Sequence, residues 1–120
     1  MTESNIRAVT ILLEVFDMPM SVAFYRALGG EVVRHWGDRE GEWDWVVLKL
    51  GGAELMLNTA YERDQRPAAL DPKRVEGHAD AELFFDCVDV DAQCDVLRRI
   101  GLTDPDGFRV WFQAPIADVT

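Results

Sequence analysis

The chain carries one pattern twice. Residues 10–29 read TILLEVFDMPMSVAFYRALG and residues 82–101 read ELFFDCVDVDAQCDVLRRIG, in register at an offset of 72 without a gap. Leu13 aligns with Phe85, Asp17 with Asp89, Phe24 with Val96, Arg26 with Arg98 and Gly29 with Gly101. Each copy is an alternating apolar run, an aspartate at a turn, an amphipathic stretch and a glycine. Those are the marks of a strand, a cap, a helix and a helix stop. A duplicated supersecondary unit predicts a pseudo-twofold fold, with a binding cleft between the halves.

A second alignment measures the difference between the copies. Gly51-Gly52 precedes AELMLN and Asp106-Gly107 precedes FRVWFQ, at an offset of 55, so Met56 aligns with Trp111 and Asn58 with Gln113. The second copy is therefore shorter by 17 residues. The first spends that length on Glu31 to Leu50, the pattern of a strand pair. In the second, Thr103 and Asp104 follow the helix almost directly. Two readings stay open: the second copy lacks the hairpin, or a mobile segment of that length is absent from the sequence as given.

The spacing predicts strands over Arg7–Phe16, Glu31–Trp36, Trp43–Leu50, Ala53–Asn58, Glu82–Val88 and Phe108–Gln113. It predicts helices over Met20–Leu28, with Pro19 near the start, and over Ala92–Ile100. Gly37–Glu42 reads as a hairpin loop. Residues 59–80 are polar, contain Pro67 and Pro72, and read as a linker. The expectation is one α+β domain over residues 1–120, with one module at about 7–58, a second at about 81–115 and a frayed tail.

Strand alternation assigns two faces. Ile11, Leu13, Val15, Val46, Leu48, Leu50, Leu55, Leu57, Leu83, Phe85, Cys87, Val110 and Phe112 form a uniformly apolar face, expected under the helices. The opposite face carries Thr10, Leu12 and Glu14, then Trp43, Trp45, Val47 and Lys49. It continues with Glu54, Met56 and Asn58, then Glu82, Phe84 and Asp86, and ends with Arg109, Trp111 and Gln113. A solvated face rarely needs three tryptophans, and a sealed core does not hold four carboxylates. A concave ligand-binding face suits both.

The formal net charge of −10 argues against nucleic acid, which rewards cations that neutralise phosphate. A neutral or cationic small ligand fits better. The apolar runs are too short for a membrane span and no secretory leader is expected. Cys87 and Cys94 make no disulfide framework and read as buried thiols in a reducing cytoplasm.

Strand, Asp turn, SVAFYR helix, Gly, then a Gly-Gly turn with ELML, the whole closed by DPDGFRVWFQ, resembles the vicinal oxygen chelate superfamily. That group includes glyoxalase I, extradiol dioxygenases, fosfomycin-resistance enzymes and bleomycin-resistance proteins. The resemblance covers nearly the whole chain. It implies two βαβββ modules curving round a cavity, the second here shortened, and a homodimer. The ligand positions of metal-dependent members fall on Thr10, Met56, Glu82 and Trp111. Only Glu82 is an ordinary divalent-metal ligand; Glu54 is two residues from Met56 on the same face, while His35 and His78 lie off these positions. No metal, cofactor or catalytic residue is therefore assigned. Glu14, Glu54, Glu82 and Asp86 are the candidate general bases, set against pairing with Lys49 and Arg109. No Cys–His, Ser–His or phosphate-loop arrangement is visible.

The primary expectation is a metal-independent small-molecule-binding protein like the bleomycin-resistance branch, taking a flat or cationic compound. Its ligand would meet Trp43, Trp45, Glu54, Met56, Asn58, Glu82, Phe84, Arg109 and Trp111 through stacking and cation–π attraction. The alternative is a metal-dependent lyase or dioxygenase with its metal at Glu82. A third reading makes the aromatic face a subunit interface.

Overall fold

The computed structural model describes residues 4–62, 64–92 and 103–113. Strand β1 (Ile11–Val15) leads to helix α1 (Met18–Ala27), then β2 (Glu31–Trp36), β3 (Trp45–Leu50) and β4 (Ala53–Thr59). Helix α2 (Pro72–His78) follows, then β5 (Glu82–Asp86) and β6 (Arg109–Gln113). One mixed sheet has the order β1-β4-β3-β2, and β5-β6 form a second, small one. The fold is α+β. Among the described residues, no helix is long and apolar enough to cross a membrane.

The two alignments reappear as strand register. β1 pairs β4 in parallel with Ile11 opposite Leu55 and Leu12 opposite Met56. β5 pairs β6 in parallel with Leu83 opposite Val110 and Phe84 opposite Trp111. These are the same pairs carried forward by 72 and 55 residues. In the first unit β3 lies between β4 and β2, antiparallel to both, with a bulge between Val32 and Arg34. In the second, β6 pairs directly with β5.

The helix caps repeat as well. The Asp17 side chain accepts from the Met20 amide at 3.2 Å, and the Asp89 side chain from the Ala92 amide at 3.1 Å. Each satisfies a donor left over at a helix start. Beyond Ala92, the expected second helix lies outside the described residues, as do Cys94 and the tail. In α1, Met18, Ser21, Val22 and Tyr25 recur at helical spacing and are buried. Leu13, Val15, Val46, Leu48, Leu55, Leu57, Leu83 and Val110 complete the core. Each such side chain contributes about 1.5–3 kcal/mol on burial.

Several expectations need correction: α1 spans Met18–Ala27 rather than Met20–Leu28, and β5 ends at Asp86 rather than Val88. β1 begins at Ile11 rather than Arg7; Ile11, opposite Leu55, is its first residue with a partner on β4. β3 begins at Trp45 rather than Trp43, because Glu40–Glu42 turn as a 3-10 helix and delay the extended run. The supposed linker holds α2. Its signal was Asp71-Pro72: the Asp71 side chain accepts from the Lys73 amide at 3.0 Å, with proline in the first turn.

Candidate functional site

Two adjoining cavities meet residues expected on the aromatic and charged face. One, of about 510 Å3, is walled by Thr10, Val33, Arg34, Trp45, Lys49, Glu54 and Met56, with Val47 at its base. The other, of about 710 Å3, lies between residues 8–11 and residues 82–85. It shares Thr10, Lys49 and Glu54 with the first and reaches Glu82 and Phe84. Thus the strands bring Trp45, Met56 and Glu54 of the first unit to one end of a continuous trough. Glu82 and Phe84 of the second unit stand at the other end.

Glu82 ties in the remaining predicted residues. Trp111 Nε1 donates to Glu82 Oε1 at 3.2 Å, and the Arg109 guanidinium is 3.9 Å from the same oxygen. Trp111 stacks on Phe84 with centroids 6.0 Å apart and planes at 12°. Parallel pairing puts Phe84 and Trp111 side by side, so this stack follows from register. Lys49 stands opposite Glu54 in the β3–β4 ladder. Asn58, opposite Trp45, shares the face by alternation, and Asn58, Arg109 and Trp111 line neither cavity.

Trp43 is not on this face. It belongs to the core cluster, stacks on His35 at 4.5 Å, and lies under the Arg26 guanidinium of α1 at 5.8 Å. Strand alternation does not extend to a residue that precedes the strand. Among the candidate bases, Glu14, Glu54, Glu82 and Asp86 are all exposed. Asp86 accepts from the Gln113 amide at 2.8 Å.

Sequence reasoning missed a buried polar joint. Asp106, fully buried, accepts from the Phe16 amide at 2.7 Å and the Ser21 hydroxyl at 3.2 Å. The Arg74 guanidinium of α2 approaches it at 3.6 Å, a charge contact without a hydrogen bond from Nε. Tyr25 donates its hydroxyl to Asp104 at 2.7 Å, and Asp104 also accepts from the amides of Asp106 and Phe108. Burial pushes the Asp104 carboxyl up, while the Tyr25 hydroxyl and the two amides pull it back. Burial, then the charge of Asp104, drives the Tyr25 hydroxyl far up. Gly107 has φ +98°, and a β-carbon there would meet the Val75 carbonyl oxygen at 2.6 Å. The DPDG turn is therefore a locking piece that ties the second unit to α1 and α2. Ser21 and Tyr25, two polar residues one helical turn apart on α1 and both buried, were the available signal.

The residues at the family's metal positions do not fit a metal. Thr10, Met56 and Trp111 offer no ordinary divalent ligand, and Glu82 is already engaged by Trp111 and Arg109. Among the described residues, no group of three or more His, Cys, Asp or Glu side chains is placed to hold an ion.

The fold and trough define a vicinal-oxygen-chelate-type domain, and comparison with known proteins agrees. The model of the Glyoxalase/Bleomycin resistance protein/Dioxygenase superfamily matches residues 7–107, so the chain belongs to that family. Its structure is similar to that of a bleomycin-binding protein from bleomycin-producing Streptomyces verticillus, complexed with copper(II)-bleomycin. There the TM-score is 0.61 and identity 18%, over 94% of this chain and 99% of that one. An antibiotic-binding protein from Streptomyces sp. CB03234 gives 0.58 and 22%, over 94% and 99%. A bleomycin resistance determinant encoded on the transposon Tn5 gives 0.61 and 18%, over 92% and 100%. No curated protein sequence matches the chain.

Proposed function

We propose that the protein binds a flat or cationic small molecule in the trough, without a metal of its own and without catalysing a reaction on it. One observation carries this reading. Two cavities that share Thr10, Lys49 and Glu54 join Trp45 to Glu82 and Phe84, so aromatic surface and carboxylates from both units face one ligand. Aromatic faces beside carboxylates attract cations, and stacking holds planar rings. The antibiotic-binding relatives support the ligand class, and the poor donor set at the family's metal positions supports metal independence. The site consists of Trp45, Glu54, Met56, Asn58, Glu82, Phe84, Arg109 and Trp111. Within residues 1–120, taken as one domain, it spans both modules.

The protein acts on this reading as a cytoplasmic homodimer. Exposed Ile11, Leu12, Phe84 and Trp111 flank the trough, and burying them against a second copy would cover it.

The test is a fluorescence screen of planar cationic and neutral compounds, with divalent metal content measured on the same preparation. Trp111→Ala should weaken a hit several-fold while the domain stays folded. Glu82→Gln should weaken a cationic hit and spare a neutral one. Stoichiometric metal, or a chelator-dependent fall in melting temperature that Glu82→Ala abolishes, would instead favour the metal-dependent lyase or dioxygenase.

A further inference from the structure

Arg34 and Lys49 line the 510 Å3 end of the trough beside Trp45, with Glu54 as the one carboxylate of that wall. Both cations are exposed, and among the described residues neither makes an ion pair. The chain has 22 acidic side chains against 12 basic ones, so carboxylate partners are plentiful. Lys49 even stands opposite Glu54 in the ladder, yet no ion pair joins them. The far end is different: it adds Glu82, and the Arg109 guanidinium already attends that carboxylate. The trough is therefore polarised along its length, with its free positive charge at the β2–β3 end.

The backbone builds this end. Glu31 stands opposite Lys49, so simple alternation would send Arg34, three residues on, to the other face. The bulge between Val32 and Arg34 shifts the register by one and sets Arg34 opposite Val47, on the face of Lys49. The same shift sets Trp36, 73% exposed, opposite Trp45. One extra residue thus gathers a guanidinium and a second indole beside Trp45 and Lys49.

A guanidinium is a planar fork that meets a carboxylate with two parallel hydrogen bonds, and an ammonium nearby adds a point charge. An indole face beside them stacks on a flat ring. The net charge of −10 does not decide against an anion here, because salt screens exposed charges beyond about 8 Å and the nearest side chains then govern.

We infer that the ligand of the trough is a planar aromatic compound bearing an anionic group such as a carboxylate, its ring against Trp45 and its anion held by Arg34 and Lys49. The inference rests on the trough reading and narrows it to one class of flat compound.

Three probes share one ring and differ in charge: 2-naphthoate, 2-naphthamide and 2-naphthylmethylammonium. The four tryptophan indole N–H signals are followed by NMR and assigned by single Trp→Phe substitutions. Naphthoate should shift the Trp45 indole saturably and bind at least five-fold tighter than the amide. Arg34→Gln should bring naphthoate down to the level of the amide, Arg34→Lys should retain part of the difference, and Lys49→Gln should cost less than Arg34→Gln. Glu54→Gln should tighten naphthoate by removing a like charge. The spectra themselves report that each variant is folded. Naphthoate binding no tighter than the amide, with Trp45 shifted by both, would overturn the inference and leave the trough reading standing. Tightest binding by the ammonium would overturn it in favour of a cationic ligand. A preference for naphthoate that survives Arg34→Gln and Lys49→Gln would also overturn it. Silence of Trp45 and Trp111 with all three probes sinks the inference and the trough reading together.

Discussion

In the first unit Leu12 stands opposite Met56 and Leu13 opposite Leu57; in the second, Phe84 stands opposite Trp111 and Phe85 opposite Phe112, the same register one copy later. What differs is the cover. β4 has β3 on its far side, Met56 is half-buried and Leu57 is sealed. β6 has β5 and a bridge from Thr103 to Arg109 among the described residues; Phe112 is half-buried and Trp111 is 38% exposed. Pairing is a local property that survives duplication and shortening, whereas burial depends on the neighbours a strand keeps. The second unit therefore relies on its locking turn for what the first obtains from its hairpin.

The most severe way to break that comparison is to remove the lock. Asp106→Ala leaves the Phe16 amide and Ser21 hydroxyl without an acceptor and Arg74 without its charge partner. Breaking a buried charged contact costs about 3–5 kcal/mol. That is much of the stability of an ordinary domain, so urea unfolding should show a large fall in midpoint. An effect under about 1 kcal/mol would mean that the second unit stands on its own sheet.

The next test makes one change at equivalent places. Leu57→Ala, at 0% exposure, should cost about 2–5 kcal/mol through transfer and cavity terms. Phe112→Ala removes a larger side chain but from a half-buried site, and should cost about 1–2 kcal/mol. If Phe112 proves the costlier of the two, the second unit is covered in solution by something further, and a second copy of the chain is the first candidate. Light scattering across micromolar concentrations checks that directly; a dimer is expected.

The repeat was legible because both strand pairs and both caps are local: Asp17 and Asp89 sit at matching positions and do the same work. Alternation was legible too, and placed Trp45 with Glu54 and Glu82 with Trp111. It failed at Trp43, where a 3-10 turn interrupts the period. The locking turn was invisible because its partners are far apart in the chain. Asp106 reaches Phe16 across 90 residues and Tyr25 reaches Asp104 across 79, and no periodicity carries such contacts. In DPDG, the sequence displays two aspartates of a kind usually solvated, and only packing shows them buried.

The lock also has a pH signature, smaller than its removal. Asp104 is raised in the folded protein above its ordinary value of 3.8, chiefly by burial. The folded state therefore binds this proton more tightly than the unfolded chain. The penalty is present in full above the folded value and is relieved as pH falls from there towards 3.8. Asp104→Asn removes the titration. The stability of the parent relative to the variant should rise as pH falls through that window, and be flat above it. A parent that loses ground to the variant on acidification would show that Asp104 is held ionised by its three donors.

The smallest effect is expected at Trp111. The residue is 38% exposed, it stacks on a still more open Phe84, and its indole hydrogen bond to Glu82 is a surface one. Trp111→Ala should cost under about 1 kcal/mol of domain stability, since surface positions contribute little to folding. Met56, the aligned residue of the first unit, lies partly covered between β1 and β3, and Met56→Ala should cost more, about 1–2 kcal/mol. Thermal melts at several protein concentrations separate folding from association. A loss at Trp111 that shrinks on dilution puts the ring in a subunit interface. A loss that is small and independent of concentration, with ligand affinity reduced, leaves the open face of the second unit to the ligand.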